Sequence, residues 1–248
     1  MSSETSTPGR PVERRAGALR AVLVAVGLLV GGFLLTVVAS VPVALALGAL
    51  GYGLASNAFV VATFVANAIG FAVVALVYLR RWLGGGDLAL PRGRLGLVAA
   101  VTVGSLAFAL AAEVAYALLG GPATGTLVTD AIAADPLFAL VYAALSVFVV
   151  APAEELLFRG AIQGRLRRTF DAPVAVAGAS LLFAAPHALN FAVGDLTGLF
   201  AAATIFVVSL AWGWAYDRTG SLAVPILAHG LYNAGLAAVA ALSVAGVF

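Results

Sequence analysis

Residues 20–47 read RAVLVAVGLLVGGFLLTVVASVPVALAL, and no residue after Arg20 in this run is charged. A helix that crosses the hydrocarbon core of a bilayer needs about 20 such residues. Lipid cannot satisfy backbone polar groups, and long apolar runs without period-two alternation predict helices. Six further apolar segments follow, at 55–79, 95–119, 136–163, 172–190, 196–216 and 221–247. The sequence therefore predicts an all-α polytopic transmembrane bundle of about seven spans; an eighth would require the first or last segment to break in two.

The composition leads to the same class. The chain is 63% hydrophobic and 10% charged, with a mean hydropathy of +1.10, whereas soluble domains carry about 25% charged residues. The absence of cysteine excludes disulfides, thiolate catalysis and Cys-based zinc sites. The net charge of +2 comes with arginines that flank apolar runs, so no nucleic-acid partner is expected. We expect a multi-pass protein of the cell membrane, with the lipid bilayer as its surroundings.

The arginines predict the orientation of the bundle. They precede the first span and lie in alternate connections, at positions 10, 14, 15 and 20, then 80, 81, 92 and 94, then 165, 167 and 168, then 218. The opposite connections contain Asp130, Asp135 and Asp195 but no arginine. Positively charged loops face the cytoplasm. This pattern predicts a cytoplasmic N-terminus and an outer C-terminus.

Three regions are predicted along the chain. Residues 1–19 are polar and predict a disordered cytoplasmic tail; the apolar run after them is too long for a signal peptide. Residues 20–130 predict transmembrane helices without a recognised motif. Residues 131–248 hold the polar groups on which function would depend. No internal repeat is visible.

Ionisable residues inside a membrane are costly and usually face a bundle interior or a wet cavity. In the fourth predicted span, Glu155 and Arg159 have the i, i+4 spacing of a helical ion pair. Their neighbour Glu154 points about 100° away around the helix, which predicts that it faces a different partner. The fifth span contributes His187, and the seventh contributes His229 and Asn233, which share one helix face.

These groups are predicted to meet at one depth. Glu154 lies 11 residues from Arg165, and His229 lies 11 from Arg218, so both are roughly 16 Å from the arginine-rich side. His187 is predicted at roughly 20 Å. Pro152, Pro186 and Pro225 each precede one of these residues, and backbone irregularity at membrane depth is tolerated where it lines a cavity or is buried in protein.

Two kinds of chemistry fit these side chains. Glu154 could take a proton from water while His and Asn groups orient that water and stabilise an oxyanion. Alternatively, His187, His229 and Glu154 could hold a divalent metal such as zinc, so the cofactor is either none or a metal. A different class also fits: a non-catalytic membrane protein, either a transporter or proton relay, or an immunity-type protein that binds a partner. A transporter would be expected to show repeat symmetry.

Other polar and aromatic residues have simpler interpretations. Glu113 is predicted at the outer interface, without a catalytic role. Trp212, Trp214 and Tyr216 lie beside Asp217 and Arg218 and predict an interfacial aromatic belt.

Three motifs then suggest a family. Glu154-Glu155-x-x-x-Arg159, Phe183-x-x-x-His187 and His229-x-x-x-Asn233 resemble, in order, the motifs of the CAAX-protease and bacteriocin-processing family (CPBP, also called Abi), which includes the type II CAAX prenyl endopeptidases. The resemblance covers about residues 136–235.

The resemblance implies an intramembrane endopeptidase acting on a membrane-associated protein or peptide substrate. By position, Glu154 would be the catalytic base, and His187 would help bind or activate water. His229 and Asn233 would form the oxyanion site, and Glu155 and Arg159 would support Glu154. Family members are commonly described as metalloproteases, while a metal-free glutamate mechanism is advocated for some relatives. Prenyl-CAAX specificity belongs to some members only.

Overall fold

The computed structural model of the chain describes residues 11–53, 56–84, 88–89, 93–122, 124–190 and 196–247. It confirms the all-α fold. The helices of these residues are α1 (Pro11–Ala49), α2 (Asn57–Leu83), α3 (Leu95–Leu118), α4 (Leu127–Ala134), α5 (Phe138–Arg167), α6 (Ala172–Ala184), α7 (Leu196–Thr219) and α8 (Ala223–Val244).

Six of these helices are long and apolar enough to cross a membrane, namely α1, α2, α3, α5, α7 and α8. The protein is therefore a multi-pass membrane protein. The fifth predicted span, 172–190, is shorter than expected: α6 ends at Ala184 and continues as a 3-10 turn, Ala185–Asn190. The chain has the seven predicted spans only if the short helix α6 also crosses the membrane. The side of the membrane on which each terminus lies stays a prediction, and Arg10, Arg92 and Asp195 lie outside the described residues.

The start of α1 differs from the expected tail. Residues 11–19 are helical, so the prediction of disorder was wrong for them, while residues 1–10 lie outside the described part of the chain. Pro11 is well suited to a first helical turn, because its missing N–H has no partner there and its φ is already helical. A long helix already formed downstream also removes the cost of nucleating these turns.

Helix α5 is not α-helical throughout its length. Two π-helical segments, Ser146–Val150 and Leu156–Gln163, flank an α-helical turn at Ala151–Glu155. Pro152 stands in that turn and has no N–H to donate. Prolines and π-bulges are the usual causes of local changes in a helix, and π-bulges often occur at functional sites. Glu154 and Glu155 therefore project from an irregular part of α5.

Helix α8 is central in the part of the bundle that contains the motifs. It packs against α3, α4, α5 and α7. Gly230 allows the closest approach, because a Cβ atom there would lie 2.8 Å from the Cα of Val147 in α5. This approach brings His229 of α8 beside the two glutamates of α5.

Candidate active site

A buried ion pair lies at the base of the site. The Nε atom of Arg159 is 3.1 Å from Oε2 of Glu155, and both side chains are fully buried. The predicted i, i+4 pair is thus confirmed. Arg159 also reaches α7, where its Nη2 donates to the Oγ of Ser209 at 2.8 Å and to the carbonyl oxygen of Ser209 at 3.1 Å. The pair therefore joins α5 to α7 as well as closing one turn of α5.

His229 joins both glutamates. Its Nδ1 atom is 2.8 Å from Oε1 of Glu155, and its Nε2 atom is 3.6 Å from Oε2 of Glu154. The expectation that Glu154 would face something other than Arg159 agrees with this geometry, whereas the additional contact of His229 with Glu155 was not predicted. The two nitrogens lie on different edges of the imidazole ring, so one histidine can face two carboxylates that point in different directions from the helix.

The two glutamates differ in accessibility. The side chain of Glu155 is fully buried, whereas that of Glu154 is 13% exposed. The 3.6 Å separation between Glu154 and His229 exceeds an ordinary hydrogen bond, yet a third atom can lie about 2.8–3.0 Å from both groups. Glu154 is thus the carboxylate that a water or substrate atom can reach, and Glu155 is the one that orients the histidine.

His187 lies next to this cluster without a described hydrogen bond to it. Its Nδ1 atom is 2.8 Å from the carbonyl oxygen of Phe183, one turn earlier. The ring of Phe183 has its centroid 5.1 Å from that of His187 and 5.6 Å from that of His229. Both predicted histidines therefore flank one aromatic ring. Since Nδ1 of His187 is bonded to its own helix, Nε2 is the nitrogen that remains for another partner.

Asn233 lies one helical turn beyond His229 and contacts a different part of α5. Its Nδ2 atom donates to the Oγ of Ser146 at 2.8 Å. Ser146 is fully buried and belongs to the first π-helical segment. Asn233 therefore lies on the same face of α8 as His229. Among the described hydrogen bonds, its partner is Ser146 and not one of the glutamates.

Trp212 lies inside the bundle, in contact with His229. It is 1% exposed, and its ring stacks on His229 with centroids 4.1 Å apart and planes 17° apart. The prediction that Trp212 belongs to an interfacial belt was wrong. Trp214, in contrast, is 45% exposed, and the Cζ of Arg218 lies 5.3 Å from the centroid of its ring. Residues two apart on a helix point in nearly opposite directions, so only one of the two tryptophans can face the interior.

Sequence reasoning also missed Ser146 and Ser209. Serine is frequent in membrane helices, and nothing in its spacing marks one as the partner of a distant side chain. The carboxylate of Glu113 accepts hydrogen bonds from the backbone N–H of Thr124 at 3.2 Å and from its hydroxyl at 3.0 Å, while its position at the outer interface stays a prediction. It secures the chain after α3, away from the cluster around His229.

The donor set does not fit the predicted metal site of His187, His229 and Glu154. In the part of the chain that the structure describes, no three His, Asp or Glu side chains lie close enough to bind one ion. The Nδ1 atoms of His229 and His187 are held by Glu155 and by the carbonyl oxygen of Phe183, which leaves both Nε2 atoms free among the described residues, as they are in many metal-binding histidines. The separation of the three groups, and not their hydrogen bonding, is therefore what does not fit one shared ion.

A comparison with known families agrees with the position of this cluster. Residues 136–235 match the family described as "Type II CAAX prenyl endopeptidase Rce1-like". This segment is similar to that family. The match runs from α5 to α8, covers less than half of the chain, and includes every residue of the cluster. It confirms the resemblance to the CPBP family and supports, in general terms, a CAAX-type intramembrane endopeptidase.

The other comparisons add no relative. No curated protein matches the chain, and no solved structure matches it.

Proposed function

We propose that this protein is an intramembrane endopeptidase in which Glu154 activates the attacking water. One observation carries the proposal: the accessible carboxylate of Glu154 lies 3.6 Å from a histidine nitrogen whose ring is held by a second carboxylate. The orientation of a histidine by a buried carboxylate is shared with catalytic triads, while here the accessible Glu154 on the other side of the ring is the proposed base.

The charges of the cluster support this assignment. Glu155 and Arg159 form one ion pair, and Nε2 of His229 lies 3.6 Å from Glu154. The mechanism that we propose requires a protonated imidazole at His229, and the four formal charges then sum to zero. Ionised groups inside a bilayer are tolerated when they are paired and hydrogen-bonded. A neutral cluster can therefore be retained at membrane depth while Glu154 keeps a lone pair for catalysis.

The proposed reaction proceeds by the addition of water to the peptide carbonyl and the elimination of the amine. A water oxygen forms a bond to the scissile carbonyl carbon while its proton passes to Glu154. The carbonyl oxygen becomes an oxyanion, which Nε2–H of His229 and the amide of Asn233 stabilise as hydrogen-bond donors. The C–N bond then breaks, and Glu154 returns the proton to the leaving amine. Nε2 of His187 completes the set by orienting the water.

The substrate that we propose is a membrane-associated protein or peptide cut near a prenylated, CAAX-type C-terminus. The family match supports this class of substrate. The location of the cluster supports it too, because the residues that form it come from helices long and apolar enough to lie in the bilayer. A water-soluble peptide without a lipid would have to leave water to reach Glu154.

A cleavage assay in liposomes tests the proposal. A farnesylated peptide ending in a CAAX-type sequence and the same peptide without the farnesyl group are presented to the wild-type protein and to Glu154→Gln. We expect cleavage of the farnesylated peptide, and a loss of at least about 100-fold in Glu154→Gln, since general-base catalysis contributes about 10²–10⁴-fold.

Glu113→Gln is the matched control, because Glu113 is another carboxylate of an apolar helix and contacts Thr124 only through local hydrogen bonds. It should cleave like the wild type. Undiminished cleavage by Glu154→Gln would overturn the assignment of the base. Failure of the wild-type protein to cut any prenylated peptide would favour the non-catalytic alternative, a transporter, a proton relay or a partner-binding protein.

A further inference from the structure

Helix α7 carries none of the three sequence motifs, yet two of its buried side chains contact the cluster. The Oγ of Ser209 accepts a hydrogen bond from Arg159 at 2.8 Å. Trp212, three residues later and on the same face of α7, stacks on His229 with a centroid separation of 4.1 Å. One helix face therefore touches both the guanidinium and the imidazole of the ion network.

From these contacts, and resting on the proposed function, the structure assigns Trp212 and Ser209 as positioning residues of the active site. Trp212 fixes the plane of the His229 ring. Ser209 holds the guanidinium of Arg159, which in turn holds Glu155.

The need for Trp212 follows from the geometry of His229. The 2.8 Å hydrogen bond from Nδ1 to Glu155 fixes one edge of the ring, but the ring can still pivot about that bond. The indole face lies nearly parallel to the imidazole at 17°, and the ring of Phe183 meets it nearly perpendicularly at 84°. Together these two rings restrict the pivot, and so they decide whether Nε2 points towards Glu154.

The chemistry of the indole suits this position. An electron-rich indole face attracts a cation placed over it. The indole of Trp212 stacks on the ring of His229, and the Cζ of Arg159 lies 5.7 Å from its centroid. The indole Nε1 has no hydrogen-bond partner among the described residues. Trp212 therefore acts on the cluster through its ring face and not through its N–H group.

Histidine NMR tests the role of Trp212 without a substrate. The chain has only two histidines, so protein labelled with ¹³C and ¹⁵N in histidine gives two sets of ring signals in detergent micelles, which His187→Gln assigns. We compare wild type, Trp212→Phe, Trp212→Leu and the control Trp214→Leu, whose indole is 45% exposed.

The ring protons of His229 should be shielded in the wild type, because they lie over the indole face. They should move downfield in Trp212→Leu, move less in Trp212→Phe, and stay in place in Trp214→Leu. Should Trp212→Leu fail to fold, the signals of His187 would also collapse, and Trp212→Phe then decides. Signals of His229 that move no more in the Trp212 variants than in Trp214→Leu would overturn the assignment.

The cleavage assay adds a kinetic signature. In metal sites, loss of a group that orients a ligand lowers activity by about 10–100-fold, and we take the same range for a group that orients His229. We expect that loss in kcat of Trp212→Leu with KM unchanged, and partial recovery in Trp212→Phe. Ser209→Ala should lower kcat without raising KM, and Ser209→Thr, which keeps the hydroxyl, should recover it. A rise in KM with kcat intact would show that these residues only shape the substrate site.

The two hypotheses fail in different ways. If the wild type cuts no peptide but the His229 signals respond as described, the endopeptidase proposal is wrong and the positioning of the ring by Trp212 stands. If the wild type is active and the chemical shifts of His229 do not change in the Trp212 variants, the endopeptidase proposal stands and the positioning role is wrong.

Discussion

The interface between α1 and α2 and the junction of α5, α7 and α8 hold helices together by different means. At the first, Gly70 lies so close to α1 that a Cβ atom would be 2.7 Å from both the carbonyl oxygen of Gly32 and the backbone nitrogen of Thr36. At the second, the contacts run through long polar side chains, with Arg159 reaching from α5 to Ser209 of α7.

The difference shows what each region is built to tolerate. Small residues let two backbones approach and gain dispersion energy without burying a charge. The junction instead buries four ionisable groups, which is costly unless each is paired. The first interface is formed by close backbone contact, whereas the second holds the groups to which the proposed function assigns catalysis. Variants at each should therefore fail in different ways.

The largest effect on stability is expected for Arg159→Met. It leaves Glu155 as a buried carboxylate without its guanidinium, and breaking such a pair from one side costs about 3–5 kcal/mol. The free energy of unfolding, measured by denaturant titration in detergent, should fall by that amount.

The double variant Glu155→Gln/Arg159→Met sharpens this prediction. It removes both charges, so it should regain most of the lost stability but not the cleavage activity, because His229 then lacks its carboxylate partner. Equal destabilisation by the single and double variants would show that the unpaired charge of Glu155 is not the cause of the lost stability.

The next effect is expected at the other interface, for Gly70→Ala. The added methyl group must push α1 away from α2, and overpacking of this kind costs about 1–3 kcal/mol. Gly27→Ala is the matched control, because a Cβ atom at Gly27 in α1 meets nothing within 4 Å. Thermal unfolding in detergent should show a lower midpoint for Gly70→Ala only, with activity at low temperature retained. A loss of activity in folded Gly70→Ala would mean that the two regions are coupled.

The smallest effect on stability is expected for Ser146→Ala. It removes the hydroxyl that accepts from Asn233 at 2.8 Å, and a hydrogen bond between membrane helices contributes about 0.6 kcal/mol on average. Cleavage should fall more than stability does, because the amide of Asn233 is then free to turn away from the oxyanion. If kcat is unchanged in Ser146→Ala, the orientation of Asn233 does not depend on Ser146.

Local spacing was enough to predict several features of this protein. The length of the apolar runs predicted the membrane class, since no other environment accepts so few charges. The four-residue interval between Glu155 and Arg159 predicted their ion pair, because helix geometry alone brings such residues together. Helix geometry also predicted that Glu154 would not face Arg159, but its partner His229 lies on another helix, and no spacing rule identifies it.

Everything that joins one helix to another was decided by the tertiary structure. His229 contacts both glutamates, Trp212 rather than Trp214 faces inwards, and Ser209 accepts a hydrogen bond from Arg159. None of these contacts follows from the order of residues. The physical reason is that a span apolar all round has no stripe that marks its buried face. Rotation about the helix axis is set only when neighbouring helices meet, at Gly230 against Val147 and at Trp212 against His229.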